Sequence, residues 1–407
     1  MKNGSQTDQS QQPASSVVSS QLSVAKTTDR GPRTTDKARY IMIGGFLGAG
    51  KTTAVAQLAR HLTGRGIRVG LITNDQGNHL VDTAMLSSRG FPTEEIAGGC
   101  FCCRFNSLME AAQRLTAATK PDVFIAEPVG SCTDLVATVT YPLRRIYGND
   151  FSIAPLSVVV DPIRALRVFG METGGKFSDK VLYIYRKQLE EADIILLNKC
   201  DLLDSERREK LRQTLAQSFP RTTLLQISAR KGTGLDLWFE RLATEEQKDR
   251  EAMEVDYDIY AEGEALLGWL NATVRIVSQR SIDGNALVRD LAAAVQQKLL
   301  REAAEIAHLK MTLEPDEDLG DLAVINLVRN DYIPELSQVL SGPIESGVLT
   351  INLRAETAPE FLRDAINEAV KTSADNQAGL TLKIEHLEFF RPGKPVPTHR
   401  FAGSGET

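Results

Sequence analysis

The residues best suited to chemistry begin with a glycine-rich segment, Gly45–Thr53, which reads GFLGAGKTT. It follows an apolar run at 40–44 and precedes a helical pattern, the context in which G-x-x-x-x-G-K-[ST] binds phosphate. Backbone N–H groups in such a loop surround a phosphate, and the following helix adds its positive N-terminal end. Lys51 would reach the β- and γ-phosphates, and Thr52 would place its hydroxyl on Mg²⁺. The residues predicted to bind here are Gly45, Gly48, Ala49, Gly50, Lys51, Thr52 and Thr53.

A second motif, Asn198-Lys199-Cys200-Asp201, ends an apolar run at 194–197. The Asp201 carboxylate can accept hydrogen bonds from both the ring N–H and the exocyclic amine of guanine. Adenine has no matching pair of donors and would leave this carboxylate unpaired, which disfavours ATP. The sequence therefore predicts GTP as the nucleotide. Its base is predicted to lie against Asn198, Lys199, Asp201, Ser228 and Ala229.

Acidic residues follow three of the predicted strands. Glu127 ends the run 123–127 and lies three residues before Gly130. Because the carboxyl ends of parallel strands face the ligand, Glu127 is predicted to hold Mg²⁺ or its water. Asp161 competes for this role, although an aspartate before a proline is also typical of a helix N-cap. Asp75 is assigned to a first switch segment near Mg²⁺. The predicted catalytic residues are Lys51, Asp75 and Glu127, and the predicted magnesium ligands are Thr52, Asp75 and Glu127.

Three of the five cysteines, Cys100, Cys102 and Cys103, fall within four residues, too close together for a disulfide framework. Thiolates suit Zn²⁺, and Cys-x-Cys-Cys supplies three of its four tetrahedral ligands. His79, a carboxylate or water could supply the fourth. Co²⁺, Ni²⁺ or Fe²⁺ could occupy the same kind of site. A redox-sensing cluster and buried small hydrophobic residues are the alternatives.

The elements that must position these motifs alternate in type. Continuous apolar runs separated by amphipathic segments predict an α/β domain with a mostly parallel sheet, buried on both faces. The predicted strands are 40–44, 68–73, 123–127, 156–161, 194–198 and 223–228. Farther on, the predicted order is strand 270–277, helix 286–310, strands 323–328 and 347–353, helix 358–372 and strand 380–390. This βαββαβ order predicts a ferredoxin-like α+β domain.

Composition divides the chain further. Residues 1–37 are rich in Ser, Thr and Gln, which predicts a disordered tail. Residues 244–264 carry nine acidic and two basic side chains, so the segment 243–265 is predicted to be a solvated acidic linker. The remaining segments are assigned to a nucleotide-binding domain at 38–242 and the α+β domain at 266–400. Arg391–Pro395 is predicted to be a solvated, proline-rich exit, with a basic docking segment as the alternative.

Charge and hydropathy exclude several classes of protein. The net charge of −6 gives no reason to propose a nucleic-acid partner. No run of eighteen apolar residues and no secretory leader pattern is found, which predicts a cytoplasmic protein without a membrane partner.

Together, the glycine-rich loop, Glu127–Gly130, Cys100–Cys103 and Asn198–Asp201 resemble the CobW-like metallochaperone GTPases, relatives of the urease and hydrogenase accessory GTPases. The resemblance implies a P-loop NTPase three-layer sandwich, slow GTP hydrolysis and a GTP-dependent homodimer. It also implies a metal held at the three cysteines and passed to a client metalloprotein. The alternative function is a regulatory G protein whose C-terminal domain binds a partner without metal transfer.

Overall fold

The computed structural model of the 407-residue chain describes residues 37–74, 86–87, 90–317 and 320–403. Residues 1–36 of the predicted tail lie outside the described residues. The same is true of Asp75 and His79, so their predicted roles stay predictions.

An eight-stranded parallel sheet forms the first half of the described chain. Seven of its strands follow the order β3-β2-β4-β1-β6-β7-β8, and β5 pairs with β1. The strands are β1 (Ala38–Gly44), β2 (Val69–Asn74), β3 (Thr93–Ile96), β4 (Val123–Glu127), β5 (Phe151–Ile153), β6 (Ser157–Val160), β7 (Ile194–Leu197) and β8 (Thr223–Gln226). All six predicted strands are present, and β3 and β5 were not predicted.

Helices cover both faces of this sheet. Alternate side chains of β1 enter two different cores: Tyr40 and Met42 pack with one set of helices, whereas Ile41 and Ile43 pack with the other. The result is the predicted three-layer α/β sandwich. The helices are α1 (Lys51–Gly64), α2 (Phe105–Thr119), α3 (Tyr141–Tyr147), α4 (Pro162–Val168), α5 (Asp179–Glu190), α6 (Ser205–Ser218) and α7 (Asp236–Thr244).

The C-terminal half contains a six-stranded antiparallel sheet with the order β12-β11-β10-β13-β9-β14. Its inner path β10-β13-β9-β14, with α9 and α10 as connections, has the predicted ferredoxin-like βαββαβ arrangement. The hairpin β11–β12 is an insertion that extends one edge. The elements are β9 (Leu267–Ile282), α9 (Gly284–Arg301), β10 (Glu305–Pro315), β11 (Ala323–Leu327), β12 (Glu335–Gln338), β13 (Ile344–Glu356), α10 (Pro359–Asp375) and β14 (Leu380–Phe390).

The prediction of a helix over 286–310 is wrong after Arg301. Residues 305–310 begin β10, so the second strand of the ferredoxin-like core is β10 and the predicted strand 323–328 belongs to the inserted hairpin. The helix ends next to Ala303, which has a positive φ of 51°. Glycine or asparagine usually occupies this left-handed conformation, so the sequence carries no stop signal there.

The prediction of a solvated linker over 243–265 is wrong for its second half. Tyr257–Leu266 forms a further helix, α8, capped by Asp256, whose side chain accepts hydrogen bonds from two backbone N–H groups. Tyr260 and Glu264 are buried, and a Cβ at Gly263 would lie 2.5 Å from the Lys180 carbonyl oxygen of α5. The charge count did not predict this helix, because its many acidic residues outnumber the few residues of its buried face.

Among the residues described, no helix has the length and apolar character needed to span a membrane.

Candidate functional site

A cleft of about 400 Å³ lies at the carboxyl edge of the parallel sheet. The glycine-rich loop joins β1 to α1 there, as predicted, and places Lys51 and Thr52 in the cleft. The Thr52 hydroxyl donates a hydrogen bond to Glu127 Oε1 at 2.9 Å. A lysine, a hydroxyl and a carboxylate therefore meet at the start of α1, where backbone N–H groups favour an anion.

Two glycines of this loop occupy positions that a side chain could not. Gly45 has φ +132°, and a Cβ there would lie 2.3 Å from the Val159 carbonyl oxygen. Gly50 has φ +97°, and its Cβ would lie 2.5 Å from Asn198 Nδ2. The loop can therefore approach the neighbouring strand ends only because these residues are glycine.

The segment Asn198–Asp201 lies beside the loop and fixes it. Asn198 donates to the Ala49 carbonyl at 2.9 Å and accepts from the Ala229 N–H at 2.9 Å. Asp201 lines the cleft, 3.3 Å from Lys231 Nζ. Burial acts to raise the pKa of Asp201, but the hydrogen bond with Ser228 and the interaction with Lys231 lower it below its ordinary value. A charged carboxylate is thus held in the wall of the cleft.

Asp161 acts as an N-cap and also as an ionic centre. Its Oδ1 accepts from the Arg164 N–H at 2.9 Å, and its Oδ2 lies 2.8 Å from Lys199 Nζ. Arg329, from the C-terminal half, approaches Oδ1 at 3.4 Å. Burial opposes ionisation, but Lys199 and Arg329 together hold the pKa of this carboxyl well below its usual range. Glu127, by contrast, accepts a hydrogen bond from Thr52, the other predicted magnesium ligand. The alternative prediction, with Asp161 at Mg²⁺, lacks this contact with Thr52.

The C-terminal half packs directly on the phosphate loop. Arg164 donates to the carbonyls of Val328 at 2.6 Å and Ala307 at 3.3 Å. A Cβ at Gly48 would lie 3.0 Å from the same Ala307 oxygen. Sequence reasoning missed this second wall, because no motif marks it. Its cleft-lining residues are Trp269, His308, Lys310, Val324, Asn326, Val328, Tyr332, Glu335 and Ser337.

Asn74 connects the cleft to the cysteines. It lies at the end of β2, lines the cleft and is 8% exposed. Its amide donates to the carbonyls of Ile96 at 2.9 Å and Gly99 at 2.6 Å. Gly99 directly precedes Cys100, so one side chain spans from the nucleotide cleft to the cysteine loop.

The three predicted metal ligands lie together. The sulfurs of Cys100 and Cys102 are 2.7 Å apart, those of Cys100 and Cys103 3.2 Å, and those of Cys102 and Cys103 3.7 Å. Around tetrahedral zinc, sulfurs lie roughly 3.8 Å apart, so only a small expansion is needed. The Cys102 thiol donates a hydrogen bond to the Cys100 sulfur, which lowers the pKa of Cys100 and raises that of Cys102. Metal binding would therefore displace protons.

The chain's C-terminal residues 391–403, which we call the strap, cross the cysteine loop. The Val396 N–H donates to Cys103 Sγ at 3.2 Å, and the Thr398 N–H donates to the Cys102 carbonyl at 2.8 Å. Arg400 pairs with the buried Asp134 at 2.8 Å. Within 391–395, Arg391, Gly393 and Lys394 are exposed, as the prediction of a solvated exit expects, whereas Pro392 and Pro395 are buried.

Helix α5 fixes the loop between β4 and α3. Gln188 donates to the carbonyls of Gly130 at 2.9 Å and Cys132 at 2.8 Å. Glu191, which is buried, accepts from the Thr133 hydroxyl at 3.1 Å and the Val136 N–H at 3.2 Å. Gln188 of α5 and Glu191, which directly follows this helix, thus hold the segment that follows Glu127.

Comparison with known proteins agrees with this geometry. Residues 39–226 match the family model "CobW/HypB/UreG, nucleotide-binding domain". The zinc chaperone CobW of Sinorhizobium sp is 29% identical over 215 residues, covering 47% of this chain and 58% of the relative. The zinc-regulated GTPase metalloprotein activator 1 of Dictyostelium discoideum is 25% identical over 221 residues, covering 47% and 46%. The chain spans about half the length of the curated relatives it matches.

A Zn(II)-bound YjiA GTPase from E. coli is a structural match at 14% identity, covering 82% of this chain and 99% of that one, with a TM-score of 0.36. The fold and the cleft define a P-loop nucleotide-binding domain. Its sequence match is more particular: residues 39–226 match the CobW/HypB/UreG nucleotide-binding domain, the family that the motifs resemble.

The buried Glu191 generates a pH prediction. Burial and the nearby charge of Asp134 raise the pKa of Glu191 to about 8, from an ordinary value of 4.5. Between these values the folded protein holds a proton that the unfolded chain has released, so the free energy of unfolding falls as pH rises. We expect Glu191→Gln to be more stable than wild type at pH 8 by at least about 1 kcal/mol, with the difference shrinking towards pH 5. Urea unfolding at several pH values measures it.

The matched control is Glu190→Gln, one residue earlier on the exposed side of α5, where the carboxylate pairs with Lys187. Its stability should differ from wild type by less than about 1 kcal/mol at every pH. A Glu191→Gln difference that stays constant from pH 5 to pH 8 would show that the carboxyl titrates normally.

Proposed function

We propose that the chain is a GTP-binding and GTP-hydrolysing metallochaperone that holds a transition metal, zinc in the first instance, at Cys100, Cys102 and Cys103. The observation that carries this proposal is the cysteine cluster, whose three sulfurs lie within 4.8 Å of one another beside a P-loop cleft. The family match and the zinc chaperones among the relatives support it. Transfer of the metal to a client metalloprotein is part of the same proposal.

In the nucleotide site, the loop Gly45–Thr53 would bind the phosphates and Asp201 would bind the guanine base. Asn198 and Ala229 would hold the base loop in place, as their hydrogen bonds already do. A hydroxyl and a carboxylate oxygen 2.9 Å apart fit Mg²⁺, which prefers oxygen ligands. Thr52 and Glu127 would hold this ion, with Asp75 as a further ligand, and the ion would neutralise phosphate charge.

Coupling between GTP and metal would run through Asn74. Its amide holds the Gly99 carbonyl at 2.6 Å, while its backbone continues into the proposed switch at Asp75. A switch ordered by the γ-phosphate would therefore favour one arrangement of the cysteine loop, and hydrolysis would release it. Water, His79 or a carboxylate would complete the metal site. Glu264 is a buried carboxylate whose pKa is raised by burial first and then by the nearby charge of the Cys100 sulfur.

The remaining parts of the proposal concern the whole protein. Residues 38–242 would form the GTPase domain and residues 266–400 the client-facing domain, with GTP-dependent homodimers in the cytoplasm. Co²⁺, Ni²⁺ and Fe²⁺ are the alternative cargoes, because cysteine ligands bind them too.

The proposed guanine site predicts a change of base specificity. Asp201→Asn replaces one acceptor by a donor, which fits xanthine, whose second carbonyl replaces the exocyclic amine of guanine. We expect the affinity for GTP to fall at least about tenfold, because a charge-assisted hydrogen bond is lost, and the affinity for XTP to rise. Calorimetric titration with both nucleotides measures this. Unchanged GTP affinity would exclude Asp201 from base recognition.

The proposed metal site predicts a loss of zinc. Cys102→Ser removes one of three clustered sulfurs, so we expect zinc affinity to fall at least about tenfold and its dependence on GTP to disappear. The control is Cys200→Ser, a free cysteine that follows Lys199 and should leave zinc affinity unchanged. Competition with a chromophoric chelator under reducing conditions gives both values. Full zinc binding by Cys102→Ser, or metal-free wild type under these conditions, would favour the regulatory G protein instead.

A further inference from the structure

One face of the C-terminal sheet carries polar side chains that are buried. In an open ferredoxin-like sheet, helices cover one face and the other is free to meet solvent. Here α9 and α10 cover the first face, and the second lies against the nucleotide-binding half. The side chains buried on or beside this second face include Asn271, His308, Asn352 and Arg354, with exposures of 1%, 6%, 3% and 0%.

His308, Arg354 and Trp269 form a row across three strands. His308 of β10 is paired in register with Arg354 of β13, and Arg354 with Trp269 of β9. The Arg354 guanidinium lies 4.1 Å from the centre of the Trp269 ring. Trp269 and His308 both line the nucleotide cleft, as does Lys310, two residues along β10. Burying a polar group is costly unless it is hydrogen-bonded. Arg354 donates to Asn271 Oδ1 at 2.8 Å, and Asn352 donates to the same oxygen at 3.0 Å.

Two side chains of this row each have a nitrogen atom without a hydrogen-bond partner in the described part of the chain. The Nε2 atom of His308 and the indole Nε1 of Trp269 are both buried, and neither has a hydrogen-bond partner among the described residues. Buried polar atoms are nearly always paired. A ligand that fills the cleft and offers oxygen acceptors would satisfy them.

The position of His308 identifies which part of the ligand it would meet. Burial, followed by the charges of Lys310, Arg354, Lys51 and Arg164, lowers the pKa of His308 well below its ordinary value. Its neighbour Ala307 lies against Gly48 of the phosphate loop. Lys51 and Lys310, one from each half of the chain, both line the cleft, and a polyphosphate is the ligand class that such a pair of cations fits.

We propose that the C-terminal sheet forms part of the nucleotide site, with His308 and Lys310 contacting the γ-phosphate of GTP. His308 Nε2 would donate a hydrogen bond to a phosphate oxygen, and the Lys310 ammonium would pair with the same group. The C-terminal half thereby distinguishes GTP from GDP. This inference rests on the proposed function, since it requires GTP in the cleft.

Nucleotide affinities measured by calorimetry on the full chain test this inference. The comparison uses a non-hydrolysable GTP analogue and GDP, with Mg²⁺, on wild type, His308→Gln and Lys310→Gln. We expect each variant to bind the GTP analogue at least about tenfold more weakly, because a charge-assisted hydrogen bond is lost, with GDP affinity changed less than about twofold. The control is His61→Gln, a histidine on α1 whose ring lies 4.5 Å from that of Phe239.

The outcomes separate this inference from the proposed function. If wild type binds neither nucleotide, the proposed function is refuted and the inference falls with it. If wild type binds both but the variants keep its preference for the GTP analogue, or lose both affinities equally while melting normally, the inference alone is wrong. If His308→Gln fails to fold, the nucleotide affinities of Lys310→Gln decide whether the inference holds. The Lys310 side chain is only partly buried, so its replacement should not prevent folding.

Tryptophan fluorescence provides an independent readout in protein with His308 intact. Trp269 lies in the cleft, whereas Trp238 is buried elsewhere with its indole bonded to Ser157 Oγ at 2.9 Å. We expect the GTP analogue to change the emission of wild type and not that of Trp269→Phe. Equal changes in both proteins would mean that the nucleotide does not meet the C-terminal wall.

Discussion

The structure depends on one buried carboxylate, Asp161, which is 2% exposed. It bonds to Lys199 of the segment Asn198–Asp201 and to Arg329 of the C-terminal half. Lys199 also donates to the Gly48 carbonyl of the phosphate loop at 2.8 Å, so three separate parts of the chain meet around this group. Removing one member of a buried ionic group leaves the others uncompensated, at a cost of about 3–5 kcal/mol. The cleft is therefore held in one geometry by charge as much as by packing.

This ionic centre explains why the two halves share a cleft. A ferredoxin-like sheet attached by a solvated linker could lie anywhere, but Arg164 and Arg329 attach it at the phosphate loop through hydrogen bonds and ion pairs. The interface combines these polar contacts with apolar packing, because Leu267, Trp269 and Ala307 of the C-terminal half belong to one of the two cores of the parallel-sheet half. Asn74 connects the same cleft to the cysteine loop through its hydrogen bond to the Gly99 carbonyl. The nucleotide site thus lies between two parts that it could control.

The sequence predicts features whose residues are close together along the chain, and it does not predict contacts between residues that are far apart. Motifs whose residues are neighbours, such as Gly45–Thr53 and Cys100–Cys103, were found because their chemistry is local. The six predicted strands of the parallel sheet are present for the same reason. The contact between Asp161 and Arg329 joins residues 168 positions apart, and no local pattern marks it. Ala303 ended a helix without the glycine that would have signalled it, and the strap packs against cysteines almost three hundred residues earlier.

The central claim is that GTP controls metal affinity, and zinc binding in defined nucleotide states tests it most directly. Full-length protein is titrated with Zn²⁺ against a chromophoric chelator, once with a non-hydrolysable GTP analogue, once with GDP and once without nucleotide. The account predicts at least about fivefold tighter zinc binding in the GTP-analogue state than in the other two, the range of ordinary allosteric coupling. Equal zinc affinity in all three states, with both nucleotides shown to be bound, would contradict it.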